Sequence, residues 1–187
     1  MFAFIQHARH SCRLAAAGAA VMLLAACADH APVQPIQPPS VDAPHAARQS
    51  RDIESAVATL RRVTARYHDL EAAKADGFVL LHPCENRPDE GPVGIVYVHM
   101  GRLLDGVIDP ESPDALIYEP EGKRPRLVGV EFALPYPFWT GEEPPVFLGN
   151  SFQREDEFGV YALHAWVWRH NPEGMFAETN PRVSCTT

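Results

Sequence analysis

Two histidines and one glutamate lie in strongly apolar stretches of the chain, where ionisable side chains are costly to bury. They are His99, Glu131 and His164, and each lies in or next to a run of β-branched and aromatic residues. Because side chains alternate along a strand, each group would lie on one defined face of its strand. If the three faces converge, the groups form a two-histidine, one-carboxylate set, with Tyr97 or Tyr118 beside it.

Such a set has two chemical uses. Two imidazoles and a carboxylate can bind a divalent metal and leave positions open for water or substrate. The same groups can also act as an acid and base pair, in which the carboxylate orients an imidazole. The alternative is that each histidine lies on the solvated face of a half-covered sheet and pairs across strands with Glu131.

The segment from Arg51 to Asp76 is predicted to form one amphipathic helix. Its large apolar residues recur every three or four positions, with arginines and acidic residues between them. Ser50 is a suitable N-cap, and Gly77 is typical of the left-handed turn that ends a helix. The helix therefore precedes every segment with strand character.

After Gly77 the apolar period changes to two, and Pro, Gly and Asp repeatedly bound the apolar runs. The predicted strands are Phe78 to Leu81, Gly94 to Met100, Ala115 to Tyr118, Arg126 to Leu134 and Val160 to Trp168. No second long helix separates them, so they should pair mainly antiparallel. We predict an α+β fold in which one N-terminal amphipathic helix packs on a mainly antiparallel, five- or six-stranded curved sheet with long loops.

Alternation also assigns the faces of the central strands. Tyr97 and His99 share one face, and Met100 lies on the other, where it is predicted to pack in the core. Glu131 is predicted to lie opposite the face of Val128. The long loops, 101–114 and 135–158, are expected to be functional lids or rims. The alternative is that the aromatic residues of the second loop pack over an open sheet edge.

The N-terminus has the composition of a bacterial export signal. Two arginines precede a short apolar run, which ends in Leu24-Ala25-Ala26-Cys27 and cannot span a bilayer. The last four residues resemble the lipobox of bacterial lipoproteins, which implies a diacylglyceryl group on Cys27, cleavage before it and acylation, typically with palmitate, of the new N-terminus. The alternative is an ordinary cleaved signal peptide or an uncleaved anchor.

The residue after Cys27 bears on the membrane to which the lipid would be attached. In the lipoprotein pattern an aspartate there favours the inner membrane, whereas this chain has Ala28, with Asp29 one position later. The resemblance therefore implies the periplasmic side of the outer membrane, with the inner membrane as the alternative. Residues 1–26 are predicted to be the signal peptide, 27–50 a Pro-rich flexible tether and 51–187 a single globular domain.

The net charge limits the partners. The whole chain carries −8, and removal of residues 1–26 leaves 14 Lys and Arg against 24 Asp and Glu, a net charge of −10. A surface this acidic disfavours nucleic acid, which requires basic side chains. It also disfavours direct docking on anionic lipid. The expected partner is therefore the membrane, reached through the N-terminal lipid.

Two thiols remain for the folded domain once Cys12 is removed with the signal and Cys27 is lipidated. An exported protein in an oxidising compartment favours a disulfide between them, Cys84 with Cys185. The alternative is that His82 and Cys84 form a His-x-Cys pair of metal ligands.

No motif in the sequence identifies a reaction. There is no Gly-rich phosphate loop, no Gly-x-Ser-x-Gly and no His-Glu-x-x-His, which counts against an enzyme. Four stretches resemble an uncharacterised family of exported bacterial proteins, a resemblance that implies no activity: Tyr67 to Gly77, Pro113 to Tyr118, Leu127 to Phe132 and His164 to Cys185.

Three hypotheses for the function follow from these observations. The first is a lipid-anchored periplasmic binding or accessory domain with a small pocket for a ligand or a metal. The second is an enzyme that uses a divalent metal held by His99, His164 and Glu131. The third is a structural envelope protein without a pocket.

Overall fold

The computed structural model describes residues 43–87 and 91–186. The helices of these residues are α1 (Ala43–Thr64), α2 (Leu70–Ala75) and α3 (Met100–Leu103), with short 3-10 turns at Ala65–His68 and Tyr136–Phe138. The strands are β1 (Val79–Arg87), β2 (Gly91–Val98), β3 (Ala115–Glu119), β4 (Arg126–Pro135), β5 (Val146–Phe147), β6 (Asn150–Ser151), β7 (Gln153–Glu155) and β8 (Val160–Ala165). The predicted signal peptide and Cys27 lie outside the described residues. Of the helices described, none has the length and apolar character needed to cross a membrane.

The segment predicted as one helix is two helices joined by a 3-10 turn. α1 begins at Ala43 rather than at Arg51, so the predicted end of the tether at residue 50 falls inside this helix. Ser50 is therefore not an N-cap, and its hydroxyl donates to the Ala46 carbonyl within the helix (3.0 Å). The break occurs because Asp69 has an extended backbone and caps α2, accepting a hydrogen bond from the N–H of Glu71 at 3.1 Å.

The C-terminal half of α1 contacts the sheet and the segment after β8. Val57 and Leu60 are buried in the same apolar cluster as strand residues. The Thr64 hydroxyl accepts a hydrogen bond from the indole N–H of Trp168 at 3.0 Å, and the Arg61 guanidinium donates to the Val167 carbonyl at 2.8 Å. These contacts hold the end of the helix beside the sheet.

The main sheet has six strands in the order β1-β2-β3-β4-β8-β7, and every neighbouring pair is antiparallel. β5 and β6 form a separate two-stranded hairpin. The α+β class and the mainly antiparallel sheet predicted from the sequence are therefore confirmed.

The sheet curls so that its two edge strands meet. Arg87 of β1 forms a bidentate contact with Glu155 of β7, with both N–O distances at 3.1 Å, although the two strands lie at opposite ends of the strand order. The curl gives the sheet two faces. The helix face carries the apolar cluster that includes Leu60, Leu116, Tyr118, Val130, Phe132 and Leu163. The cavity face carries Val96, Val98, Ala133, Val160, Ala162 and Trp166.

The predicted disulfide is present. Cys84 of β1 is bonded to Cys185 near the C-terminus, with 5.4 Å between their Cα atoms. The bond ties the C-terminal segment to the sheet edge. It also removes the Cys84 sulfur as a metal ligand, so the His-x-Cys alternative does not apply.

The aromatic residues of the second long loop mostly pack against the core. Phe152 is almost fully buried, and Phe147 meets Phe132 of β4 edge to face with ring centroids 5.0 Å apart. This agrees with the alternative that the loop covers the sheet. Phe158 differs, because it is 38% exposed and borders a cavity.

Candidate functional site

A cavity of about 200 Å³ lies within the curl, on the cavity face of the sheet. Its walls are apolar and include Val93, Val98, Leu103, Ala133 and Val160. Three partly exposed apolar side chains, Leu81, Met100 and Phe158, border its mouth. Five ionisable side chains also line it: His82, Arg87, Glu131, Glu155 and His164. An apolar enclosure with a few polar groups is the usual form of a small-molecule site.

One cross-strand row places the buried ionisable pair. Val98 pairs with Ala115, Ala115 with Glu131, and Glu131 with His164, so these four side chains project to the same face. Glu131 and His164 are 8% and 5% exposed, and Glu131 Oε2 lies 3.5 Å from His164 Nε2. The register therefore brings together two of the residues selected from the sequence, Glu131 and His164.

The ring of His164 is fixed by a second contact. Its Nδ1 lies within hydrogen-bond distance of the Glu178 carbonyl, and since a carbonyl can only accept, Nδ1 carries the proton and donates. Nε2 then faces Glu131 beside the cavity. Burial disfavours the imidazolium, but the contact with Glu131 and its negative charge outweigh burial and raise the pKa of His164 above its ordinary value.

A second charged cluster joins the sheet edges next to this pair. Arg87 contacts three carboxylates, those of Glu85, Glu155 and Glu178. The side chains of Arg87 and Glu155 are only 16% and 15% exposed, so the contact is mostly shielded from water. At the mouth the His82 ring stacks on Phe158, with centroids 5.9 Å apart and planes 21° apart.

Comparison with known protein families, with curated proteins and with solved structures found no match.

His99 and Tyr97 do not join Glu131 and His164, which corrects the predicted set. Along β2 the side chains of Val96 and Val98 lie on the cavity face, so Tyr97 and His99 lie on the helix face. Tyr97 packs against Tyr118 with ring centroids 5.6 Å apart.

His99 has a structural role on the helix face. Its ring contacts Phe78 with centroids 5.4 Å apart, and its Nδ1 accepts a hydrogen bond from the Arg102 N–H at 3.2 Å, which caps α3. Met100, predicted to lie on the face opposite His99, is on the cavity side as expected. It is 45% exposed at the mouth, however, and is not buried in the core.

The predicted metal site is consequently incomplete. Only His164 and Glu131 of the predicted ligands come together, and two side chains are fewer than a catalytic zinc or facial-triad site uses. Within residues 43–87 and 91–186, no three His, Cys, Asp or Glu side chains are grouped as a metal ion requires.

Sequence reasoning missed three residues of the site: Arg87, Glu155 and Glu178. Arg87 lies beyond the predicted end of the first strand, Glu155 lies in a segment predicted as loop, and Glu178 follows the last strand. Their contacts span 68 and 91 positions of the chain. An arginine followed by Pro, Asp and Glu in the sequence is an ordinary surface pattern, so the local sequence carries no signal of this cluster.

Proposed function

We propose that this protein is a lipid-anchored protein of the cell envelope whose α+β domain binds a small, mainly apolar molecule in the cavity. In this proposal the lipid on Cys27 holds the protein at the membrane, and α1 links the Pro-rich tether to the sheet. The observation that carries the binding function is an apolar cavity of about 200 Å³ with the buried Glu131–His164 pair at its wall.

The size and lining of the cavity define the class of ligand. A dry apolar cavity of ~150 Å³ accepts benzene, so one of about 200 Å³ suits a molecule of roughly six to eight carbon atoms. Each buried methylene contributes about 0.8 kcal/mol, before the cost of association is subtracted. The polar pair supplies orientation and specificity rather than most of the affinity.

The other two hypotheses have less support. A metal-dependent enzyme was predicted to need His99 together with His164 and Glu131, and His99 lies on the opposite face of the sheet. A structural protein needs no cavity at all. The cavity face would then be filled by core side chains, as the helix face is.

The test is ligand-dependent stability of the purified full-length protein in the presence of phosphatidylcholine vesicles. Thermal unfolding is followed by tryptophan fluorescence with hexan-1-ol, hexylamine or hexanoate. A ligand that binds only the folded state stabilises it by about 2.7 kcal/mol at 100 times its dissociation constant. We therefore expect at least one probe to raise the unfolding temperature, with saturation.

Two variants separate binding in the cavity from effects of the probe on lipid. Ala133→Phe fills the cavity and should abolish the rise, because Ala133 is one of its lining residues. Ala58→Phe makes the same change at an exposed position of α1, and this variant should still show the probe-induced rise in unfolding temperature. If no probe stabilises the unmodified protein, or if both variants respond alike, the binding function is wrong.

A further inference from the structure

We propose that the ligand of this cavity is an aliphatic amine, bound as its ammonium ion against the carboxylate of Glu131. This inference rests on the proposed binding function and adds the charge of the ligand to it. Three features of the described residues support it: an excess of carboxylates, the spare acceptor capacity of Glu131, and the orientation of His164.

Negative charge predominates around the polar part of the cavity. Two carboxylates, Glu131 and Glu155, line the cavity, and Arg87 also contacts Glu85 and Glu178, which are not among the lining residues. Among the described lining residues Arg87 is the one permanent cation, so with neutral histidines the lining has one negative charge in excess. In a partly desolvated enclosure this excess favours a cationic ligand and disfavours an anionic one.

Glu131 is the carboxylate best placed to receive the cation. Its side chain is 11% exposed, lines the cavity, and has one polar contact in the described residues, the 3.5 Å approach of Oε2 to His164 Nε2. A carboxylate has about four acceptor sites, so most of its capacity is unused by the protein. A buried acceptor without enough donors is costly, and an ammonium ion supplies three donors.

His164 complements this arrangement. Because its Nδ1 donates to the Glu178 carbonyl, the Nε2 of the neutral ring is an acceptor that points toward Glu131. A charged His164 ring would donate from Nε2 to Glu131, so an ammonium ion that donates to both residues binds with the ring neutral. A carboxylate ligand would instead face Glu131 and Glu155, and the Arg87 guanidinium already contacts Glu155 through both terminal nitrogens.

The apolar walls complete the recognition. The head group lies at the Glu131–His164 pair, and the chain of the amine packs along Val98, Ala133 and Val160 toward the mouth. Alkylamines are protonated at neutral pH, since an unperturbed ammonium group has a pKa of about 10.4. The site therefore combines hydrocarbon burial with one charge-assisted contact.

The same three six-carbon probes test the charge of the ligand on the unmodified full-length protein. Hexylamine should bind most tightly, hexan-1-ol more weakly, and hexanoate most weakly. Glu131→Gln should weaken hexylamine binding about tenfold or more, which is the range expected for a hydrogen bond to a charged group, and leave hexan-1-ol nearly unchanged. Glu142→Gln removes the same charge at an exposed position and should leave the binding of both hexylamine and hexan-1-ol unchanged.

The outcomes separate this inference from the proposed function. Hexanoate or hexan-1-ol binding as tightly as hexylamine, or equal responses of the two glutamine variants, would overturn the amine while leaving the binding function intact. Stabilisation by none of the three probes would overturn the binding function itself. The ranking on the unmodified protein keeps the test decisive if Glu131→Gln does not fold.

Discussion

Asp114 is a buried carboxylate whose two oxygens have different surroundings. Oδ2 accepts a hydrogen bond from the N–H of Ala133 at 2.9 Å, whereas Oδ1 has no hydrogen-bond partner among the described residues. Asp114 directly precedes β3, and the carbonyl of Pro113 before it accepts from the Arg102 guanidinium, so the Asp114 carboxylate supplies the acceptor for this N–H of β4. Burial raises the pKa of Asp114 to about 7 against the Ala133 hydrogen bond, and the charge of Glu131 adds to the rise.

Asp114→Asn should flatten the dependence of stability on pH. The folded protein binds the proton of Asp114 more tightly than the unfolded chain does, so its contribution is complete below pH ~4 and lost as pH rises through about 7. A pKa raised from 3.8 to about 7 corresponds to roughly 4 kcal/mol at most. Urea unfolding at a series of pH values should show the free energy of the variant falling less over this range.

The matched control is Asp52→Asn, the same change at an exposed position of α1. Its pH profile should follow that of the unmodified protein. In both variants the free energy of unfolding should still fall with rising pH near neutrality, because the raised pKa of His164 also contributes stability that is lost as pH rises. Parallel profiles for Asp114→Asn and Asp52→Asn would contradict the assigned role of Asp114.

The elements of the cavity face were predictable where local alternation holds. Along the last strand, alternation places His164 with Ala162 and Trp166, and all three lie on the cavity face. Along β2, alternation separates Val98 from His99, as the structure does. Which face of β2 meets which face of β8 depends on the register of the intervening strands, and register comes from pairing between distant segments.

A bulge explains the remaining error in face assignment. Ile117 pairs with Gly129 and Tyr118 with Leu127, so Val128 is an extra residue on β4. Val128 therefore lies on the cavity face with Glu131 and not opposite it. Its carbonyl accepts hydrogen bonds from the N–H groups of Trp168 and Arg169, which come from far along the chain. Such a long-range cause leaves no trace in the alternation of residues 126–135.

Arg87 joins the two edges of the sheet, and its loss should destabilise the protein more than the loss of a surface ion pair. Arg87→Gln leaves three carboxylates without their shared cation; Glu155 is mostly shielded from water, and Glu85 and Glu178 are partly exposed. Breaking a buried ion pair by removing one partner costs about 3–5 kcal/mol, and the partial exposure of Glu85 and Glu178 places the expected loss near the lower value. Chemical unfolding measures the difference.

Arg154→Gln is the matched control for that experiment. Arg154 lies in β7 and pairs with Asp156 at 2.9 Å, but both side chains are more than half exposed, so its loss should destabilise the protein much less than the loss of Arg87. Equal losses in the two variants would show that the edge contact adds nothing beyond a surface pair. A selective loss for Arg87→Gln would establish that the contact holds the curl and the cavity together.

At the scale of the whole molecule, the disulfide and the net charge bear on the proposed place of the protein at a membrane. The Cys84–Cys185 bond closes a loop with a sequence separation of 101 residues, and a loop of that length corresponds to up to about 4.7 kcal/mol in the chain-entropy model. Structural disulfides form and persist in oxidising compartments. A chain with a net charge of −8 also gains little from contact with anionic lipid, so membrane attachment would depend on the acyl groups.

Cys27→Ser tests that attachment. Two or more acyl chains hold a protein stably, whereas a single chain binds only marginally, so the variant should pass from the detergent phase to the aqueous phase and lose the acyl mass. Phase partitioning and intact mass spectrometry of the protein from bacterial membranes measure both changes. Cys12→Ser alters the other N-terminal cysteine, which lies outside the lipobox, and should leave both properties unchanged. If the Cys27→Ser protein keeps its mass and its partitioning, the anchor is not a lipid on Cys27, and the cavity must be placed in the cell by another route.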